Sequence, residues 1–489
     1  MRPRVARMAG IFIGAVPGAS VANRWRGAHL HRVLAGMPRF VRYWFTLVDA
    51  VDRRAYLATG LGLMAFKYAV DAGAVALATG RFWSPLDYLL PFYLLRAEKL
   101  AGAPAWFLPA FVLWTLPFLW IGVAMTLRRA VDAGRSPWLA LGFFVPLVNY
   151  VVMLALCRLP TVPLSPREGH AGGRTVDARP ALVLYGIAAG LAVALPTVLL
   201  NVYVLRRYST SLFLGTPFTL GAVTAYVFNR AAPQGPGATA QVVSLSLVLL
   251  AGAMLLFALE GLVCVTLALP LALALAIVGG IFGRAIALHT PGRAGHLASL
   301  VLAAPLLAGL DEARGSSPTP QYQMEDSVVV AAPRAVVWRK VVSFSELASP
   351  TEALFRLGVA YPRRARIDGV GAGAIRYCEF STGTFVEPIT EWAAPGRLSF
   401  DITAQPVPLR ELSPYGAIAP PHLHGYFRAR RGAFRLTALS GGRTLLVGAT
   451  WYELDIEPRR YWKVPADAIV SAIHRRVLAH IKRLSEAGS

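Results

Sequence analysis

Two carboxylates, Glu379 and Glu387, stand on either side of the turn Ser381 to Thr384. On neighbouring strands they can face each other as a general acid and base. They can also point outward toward Arg376 or Arg397 as solvated pairs, and strand parity alone does not choose the face. His422 and His424, in Pro420-Pro421-His422-Leu423-His424-Gly425, share one face of an extended segment. That spacing suits a metal pair, but no third ligand stands nearby in the chain, so no metal and no cofactor is expected. Glu379, Glu387 and His422 are the candidates for catalysis. Further back, Lys67 and Asp71 share a helix face inside an apolar run and can neutralise each other, and Glu260 is a carboxylate in a second apolar run. Charges in such places are costly and mark either an ion path or a structural pair. There is no Gly-rich phosphate loop, no nucleophile elbow and no HExxH zinc motif.

The elements that must position these residues fall into two unlike halves. The chain has 489 residues, 55% hydrophobic and only 15% charged, with a mean hydropathy of +0.51. A soluble chain carries nearer a quarter charged residues. Apolar runs of membrane-crossing length cover Ala55 to Leu77, Pro104 to Leu127, Pro137 to Cys157, Pro180 to Val204 and Ser211 to Phe228. Ala240 to Ile286 suits two helices with a turn near Val263 to Ala268, and Leu297 to Leu310 is a short final run. About eight spans are expected, with Trp83 to Leu95 lying at the interface.

The net charge is +23, from 49 Lys and Arg against 26 Asp and Glu, and Arg clusters in the short loops between apolar runs. This is the positive-inside pattern, with the lipid bilayer as partner; no stripe of basic and aromatic residues points to nucleic acid. It puts the basic segment before Ala55 in the cytoplasm and, after eight spans, the C-terminal domain there too, in the inner membrane. Arg158, Arg167, Arg174 and Arg179 fall on the wrong side of that scheme, and Arg284 and Arg293 fit no better. Met8 to Val21 has the look of a signal segment, with a basic tail as the alternative. Cys157, Cys264 and Cys378 form no CxxC pair, which argues against a disulfide framework.

The expected organisation is a basic segment over 1–54, a membrane domain over 55–310, a linker over 311–326 and a soluble domain over 327–489. That domain opens with a strand at Ser327 to Ala331 and a helix from Pro333. The capping box Ser349-Pro350-Thr351-Glu352 predicts a second helix, closed by Gly358. Strands follow around Ala365 to Ile367, Ala374 to Ser381, Phe385 to Glu391, Arg397 to Thr403, Gly425 to Leu439 and Thr444 to Leu454. An amphipathic helix, Pro465 to Glu486, ends the chain. A curved sheet round that helix leaves an apolar gap. Its candidate lining is Tyr377, Trp392 and Tyr452 on strands, Tyr415 in the loop Gln405 to His424, and Ile473 and Val477 on the helix. The bland alternative makes the aromatics core. The loop itself reads as a lid, with Leu412, Tyr415 and Ile418 as its contacts.

The string Ser327-Val328-Val329-Val330-Ala331-Ala332-Pro333 followed by Val336-Val337-Trp338, with Ala365 to Tyr377, Glu379 to Trp392 and Pro395 to Phe400, resembles the START-like superfamily, also called SRPBCC or polyketide cyclase/dehydrase and lipid transport. The resemblance implies an α+β helix-grip domain behind an all-α polytopic bundle, and a hydrophobic small molecule or lipid as partner. It implies no single chemistry, since the fold hosts many. Residues about 40–157, with Arg128-Arg129-Ala130-Val131-Asp132-Ala133-Gly134-Arg135-Ser136-Pro137-Trp138, are similar to a small bacterial inner-membrane family of unknown function; Val131 stands where that family usually has His. Three readings stay open: a membrane-tethered binding module, a cyclase- or hydrolase-type enzyme, and a transporter with a regulatory domain. Sequence sets neither the ligand nor the oligomeric state.

Overall fold

The structure is a computed structural model that describes residues 38–487 apart from 48, 90–98, 105, 145–146, 163–177, 290–318 and 415. The signal-like segment Met8 to Val21, Tyr415 and the run Leu297 to Leu310 therefore lie outside the described residues.

Six described helices are long and apolar enough to cross a membrane, and they make the chain a multi-pass membrane protein. After a short α1 (Arg39–Phe45) come α2 (Arg53–Thr79) and α3 (Phe107–Asp132). Next is the short α4 (Val148–Arg158). Then α5 (Ala178–Leu199) continues through a π turn to Val204, and α6 (Thr216–Arg230) is led in by a π turn from Ser211. Finally α7 (Pro236–Leu256) and α8 (Leu262–His289) pack against each other on either side of a break at residues 257–261. The break precedes the expected turn at Val263 to Ala268 because Gly261 and the positive φ of Ala258 release the helix earlier. Small residues let α6 and α8 touch backbone to backbone. A Cβ on Gly221 would stand 1.9 Å from the Ala276 carbonyl oxygen, and one on Gly279 2.0 Å from that of Phe218.

The expected third span is corrected. Pro137–Phe144 forms a 3-10 turn and α4 has only 11 residues, so the segment enters the bundle and returns. The Arg128-Arg129-Asp132 motif holds both ends of this hairpin. Buried Arg129 pairs with Asp132 and donates to the Leu156 and Leu159 carbonyls, while the Val162 N–H donates to the Asp132 carbonyl at 3.1 Å. Buried Arg128 donates to the Asp49 and Tyr43 carbonyls. Each of these guanidiniums leaves water only because several carbonyl or carboxylate oxygens replace it.

The C-terminal domain is one seven-stranded antiparallel sheet in the order β1-β9-β8-β5-β4-β3-β2. The strands are β1 (Gln321–Val330), β2 (Pro362–Asp368), β3 (Ile375–Phe380), β4 (Gly383–Ala393), β5 (Arg397–Asp401), β8 (Phe427–Ala438) and β9 (Thr444–Leu454). A two-stranded hairpin, β6 (Glu411–Ser413) with β7 (Gly416–Ile418), occupies the long loop. The sheet curves round α11 (Arg459–Glu486), with α9 (Arg334–Val342) and α10 (Ala353–Arg356) at one end. This is a helix-grip arrangement.

β1 begins six residues before the expected strand, so 321–326 belong to the sheet and not to a linker. The capping box does not form: α10 is four residues long and its N-cap, Glu352, makes no side-chain cap bond. α11 starts at Arg459, ahead of Pro465, because Trp462 supplies an anchor that the apolar spacing after Pro465 does not reveal. Val337, Val341, Leu398, Leu446 and Ile481 fill the middle of the grip, each buried aliphatic contributing roughly 1.5–3 kcal/mol.

Candidate functional site

Strand parity separates the two candidate carboxylates. On β3, Arg376 and Cys378 point inward and Glu379 outward, where it pairs with Arg364 at 2.8 Å and Arg366 at 3.7 Å. The Arg364 hydrogen bond holds the Glu379 carboxyl below its usual value. Glu387 lies directly across from Arg376, points inward, and forms a buried ion pair with it. Burial pushes the Glu387 carboxyl up, and the Arg376 guanidinium opposes that. The guanidinium sits 5.6, 5.3 and 5.7 Å from the rings of Phe344, Phe400 and Phe434. Facing opposite sides of the sheet, Glu379 and Glu387 do not form an acid–base pair.

Tyr377 is likewise on the outer face, with Arg366 stacked 4.1 Å from its ring; it does not line the grip. Trp392 packs edge-on against Trp338 in the core, with ring centres 5.6 Å apart. Tyr452 is fully buried, stacks on Phe427 and donates to Asp467 Oδ1 at 2.6 Å. Val477 belongs to the same core as Trp338, and Ile473 is half-buried on α11. His474, next to Ile473, lies 3.1 Å from Asp326 and 2.7 Å from Thr450; burial holds its imidazole below the usual value, against the pull of Asp326. The interior of the grip is thus packed with side chains.

Lys67 and Asp71 do pair within α2. Asp71 also accepts from Tyr88 at 2.5 Å and from the Trp114 indole at 3.0 Å. No described hydrogen bond or ion pair links this cluster to Glu260, which stands at the seam between bundle and sheet domain. A converging polar path through the three is not formed among the described residues.

The seam is where the sequence candidates that do meet are found. The loop read as a lid docks on the bundle. Glu411 Oε2 and Oε1 accept the Val263 and Cys264 N–H groups at 3.0 and 2.8 Å, so a carboxylate from the sheet domain caps the open N-terminus of α8. The approach requires Gly261, where a Cβ would stand 2.2 Å from Glu411. His422 lies between two carboxylates, its Nδ1 2.9 Å from Glu260 and its Nε2 3.3 Å from Glu411. Burial lowers the imidazole, but the two carboxylates facing the ring outweigh it and bring it up to about 9. Glu260 also accepts from the Tyr208 hydroxyl.

Around this cluster, the Tyr426 hydroxyl donates to the Arg206 carbonyl at 2.6 Å and the Glu457 N–H to the Tyr208 carbonyl at 2.8 Å. The Phe213 and Trp462 rings meet at 4.8 Å. Glu411 could not be singled out from sequence, because its contacts are with residues almost 150 positions earlier.

Beside the cluster lies a cavity of about 490 Å³. Leu100, Ala103, Pro104, Phe107, Leu108, Val202 and Tyr203 form its bundle wall, and Pro421, His424 and Tyr426 its sheet-domain wall, with exposed Arg206 among them. Arg206 is one of three non-glycine residues with positive φ among the described residues, at 52°, a costly conformation that the Tyr426 hydrogen bond holds in place.

Residues 44–167 match the family described as "Protein of unknown function (DUF805)", a span that runs from α1 through the folded-back hairpin. No curated protein matches the chain. Solved structures similar to the sheet domain include an aromatase/cyclase, Zhui, from Streptomyces sp. R1128, 14% identical over 34% of this chain and 94% of that one, with a TM-score of 0.23. They also include a truncated norcoclaurine synthase from Thalictrum flavum, 13% identical over 35% and 96%, TM-score 0.23. A protein from Nitrosospira multiformis is 16% identical over 33% and 94%, TM-score 0.22. Likeness of this degree says nothing of activity, and the helix-grip description rests on the strand order and the long C-terminal helix.

Proposed function

We propose that the protein holds an amphipathic lipid at the seam between its membrane bundle and its helix-grip domain, with the domain as a docked cover. The observation that carries this reading is the seam cavity. Its volume of about 490 Å³ suits a small-molecule site. Its walls are apolar on the bundle side, and Arg206 supplies a cation at the level where a lipid head group would lie. The packed interior of the grip favours the seam over the sheet's own hollow.

The test is native mass spectrometry of the full chain from nanodiscs of mixed phosphatidylethanolamine and phosphatidylglycerol. The wild type is expected to retain a lipid adduct, Leu108→Trp to lose it by filling the cavity, and Arg206→Glu to shift retention away from phosphatidylglycerol. Equal retention by wild type and Leu108→Trp overturns the reading.

The side of the membrane follows from charge. The helices alternate, so Arg53, Arg135, Arg158, Arg179, Arg230 and Arg284 gather at one end of the bundle. The opposite end, where the helix-grip domain docks, carries Arg81, Lys99, Arg206 and Arg207. With the third apolar run folded back, Arg158, Arg179 and Arg284 join the basic end that they seemed to violate. The positive-inside rule then makes that end cytoplasmic and the helix-grip domain extracytoplasmic, the reverse of the side expected from eight spans. Val370 is 85% exposed on the sheet domain. A Val370→Cys chain is expected to react with a membrane-impermeant maleimide on intact spheroplasts; labelling only after lysis reverses the orientation.

A further inference from the structure

We propose that Glu260, Cys264 and His422 form a zinc site that staples the sheet domain to the bundle. One ligand atom from each of the three lies within 4.8 Å of the others. A tetrahedral zinc with bonds of about 2.0–2.3 Å needs neighbouring ligand atoms roughly 3.3–3.8 Å apart, so the 2.9 Å separation of His422 Nδ1 and Glu260 Oε2 has to open slightly and the longer separations to close. Thiolate, imidazole and carboxylate are a donor set zinc accepts, more readily than the oxygen-seeking magnesium or calcium.

Geometry separates this cluster from an ordinary hydrogen-bonded one. His422 and Glu260 are more than nine-tenths buried. His422 Nδ1 and Glu260 Oε2 are 2.9 Å apart and Nε2 is 3.3 Å from Glu411, yet all three buried atoms meet their neighbours at angles too poor for a good hydrogen bond. Buried polar atoms without partners are rare and call for an explanation. A cation shared by Nδ1 and Oε2 supplies one, since lone pairs and not N–H bonds then face the gap.

The surroundings complete the arrangement. With Nδ1 on the metal, Nε2–H faces Glu411 Oε1 at 3.3 Å, the carboxylate that fixes the tautomer of a zinc-bound histidine. Tyr208 orients Glu260 by donating to its other oxygen. Glu260 and Cys264 come from the break before α8 and its first turn, and His422 comes from the docked loop. Binding displaces two protons to solvent, one from the Cys264 thiol and one from His422 Nδ1, and leaves a fourth position open. The site stands independently of what fills the cavity.

Cobalt is the probe. The full chain in detergent, stripped with chelator and titrated with Co2+, is expected to bind one equivalent with a thiolate-to-cobalt charge-transfer band that Zn2+ abolishes. Cys264→Ser should remove the band while Cys157→Ser and Cys378→Ser keep it, and His422→Gln should weaken binding at least tenfold. Arg206→Glu, which alters lipid retention, should leave the band unchanged. A monodisperse wild-type chain that gives no band, or a band that survives Cys264→Ser, overturns the proposal.

Discussion

The molecule buries carboxylates in two places and treats them differently. Inside the grip, Glu387 meets one guanidinium across a strand pair, with three phenylalanine rings around the cation. One charge of each sign is present and the aromatics close the space. At the seam, Glu260 and Glu411 share a single imidazole and the N-terminus of α8, and several polar atoms stay without partners. A balanced, closed pair is a structural device. At the seam two carboxylates face one imidazole, an excess of negative charge that the zinc proposed above would offset. Burial alone therefore does not distinguish the two sites, since Arg376 Nε in the grip also lacks a partner; the balance of charge does.

The largest effect should come from unbalancing the closed pair. Arg376→Met leaves Glu387 buried without a partner, which costs about 3–5 kcal/mol. The double change Arg376→Met with Glu387→Leu should recover most of that loss. Thermal unfolding of the full chain in detergent reads both. If the double variant is no more stable than the single one, the pair does more than balance charge, and the contrast with the seam weakens.

The seam should give a smaller, local effect. Glu411→Gln removes the carboxylate that caps α8, and Gly261→Ala blocks its approach; loss of a cap costs about 0.5–2 kcal/mol. Hydrogen exchange should accelerate at the Val263 and Cys264 amides and across the loop 405–424, with the grip core unchanged. Protection that stays at wild-type level in both variants would mean that the loop is held by its aromatic contacts alone.

Much of this was legible in the sequence, for reasons that differ by element. β9 is found over Thr444–Leu454, as its alternating pattern predicts, because a hairpin at Gly441-Gly442 fixes its start. The apolar runs that became α2, α3, α5 and α6 needed only composition. The run from Pro137 misled because hydropathy counts apolar side chains and takes no account of Arg129, whose bonds to the Leu156 and Leu159 carbonyls draw the run back to the end where it began. The misplaced arginines after it were the readable warning. The face of Glu379 was undecidable without register. At the seam, His422 and Glu260 each stood out as unusual residues. Their meeting, and the part of Glu411, depend on pairings across almost 150 residues that no local pattern encodes.

The cap on α8 also bears on how the chain is made. Glu411 reaches Cys264 from 147 positions downstream. At roughly 5–20 residues per second, the ribosome delivers that carboxylate about 7–30 s after the helix end it covers. Over that interval the first amides of α8 lack the carboxylate that accepts them in the folded protein. A chain cut short after His289 would therefore leave the N-terminus of α8 without its plug, its Val263 and Cys264 amides lacking the Glu411 carboxylate.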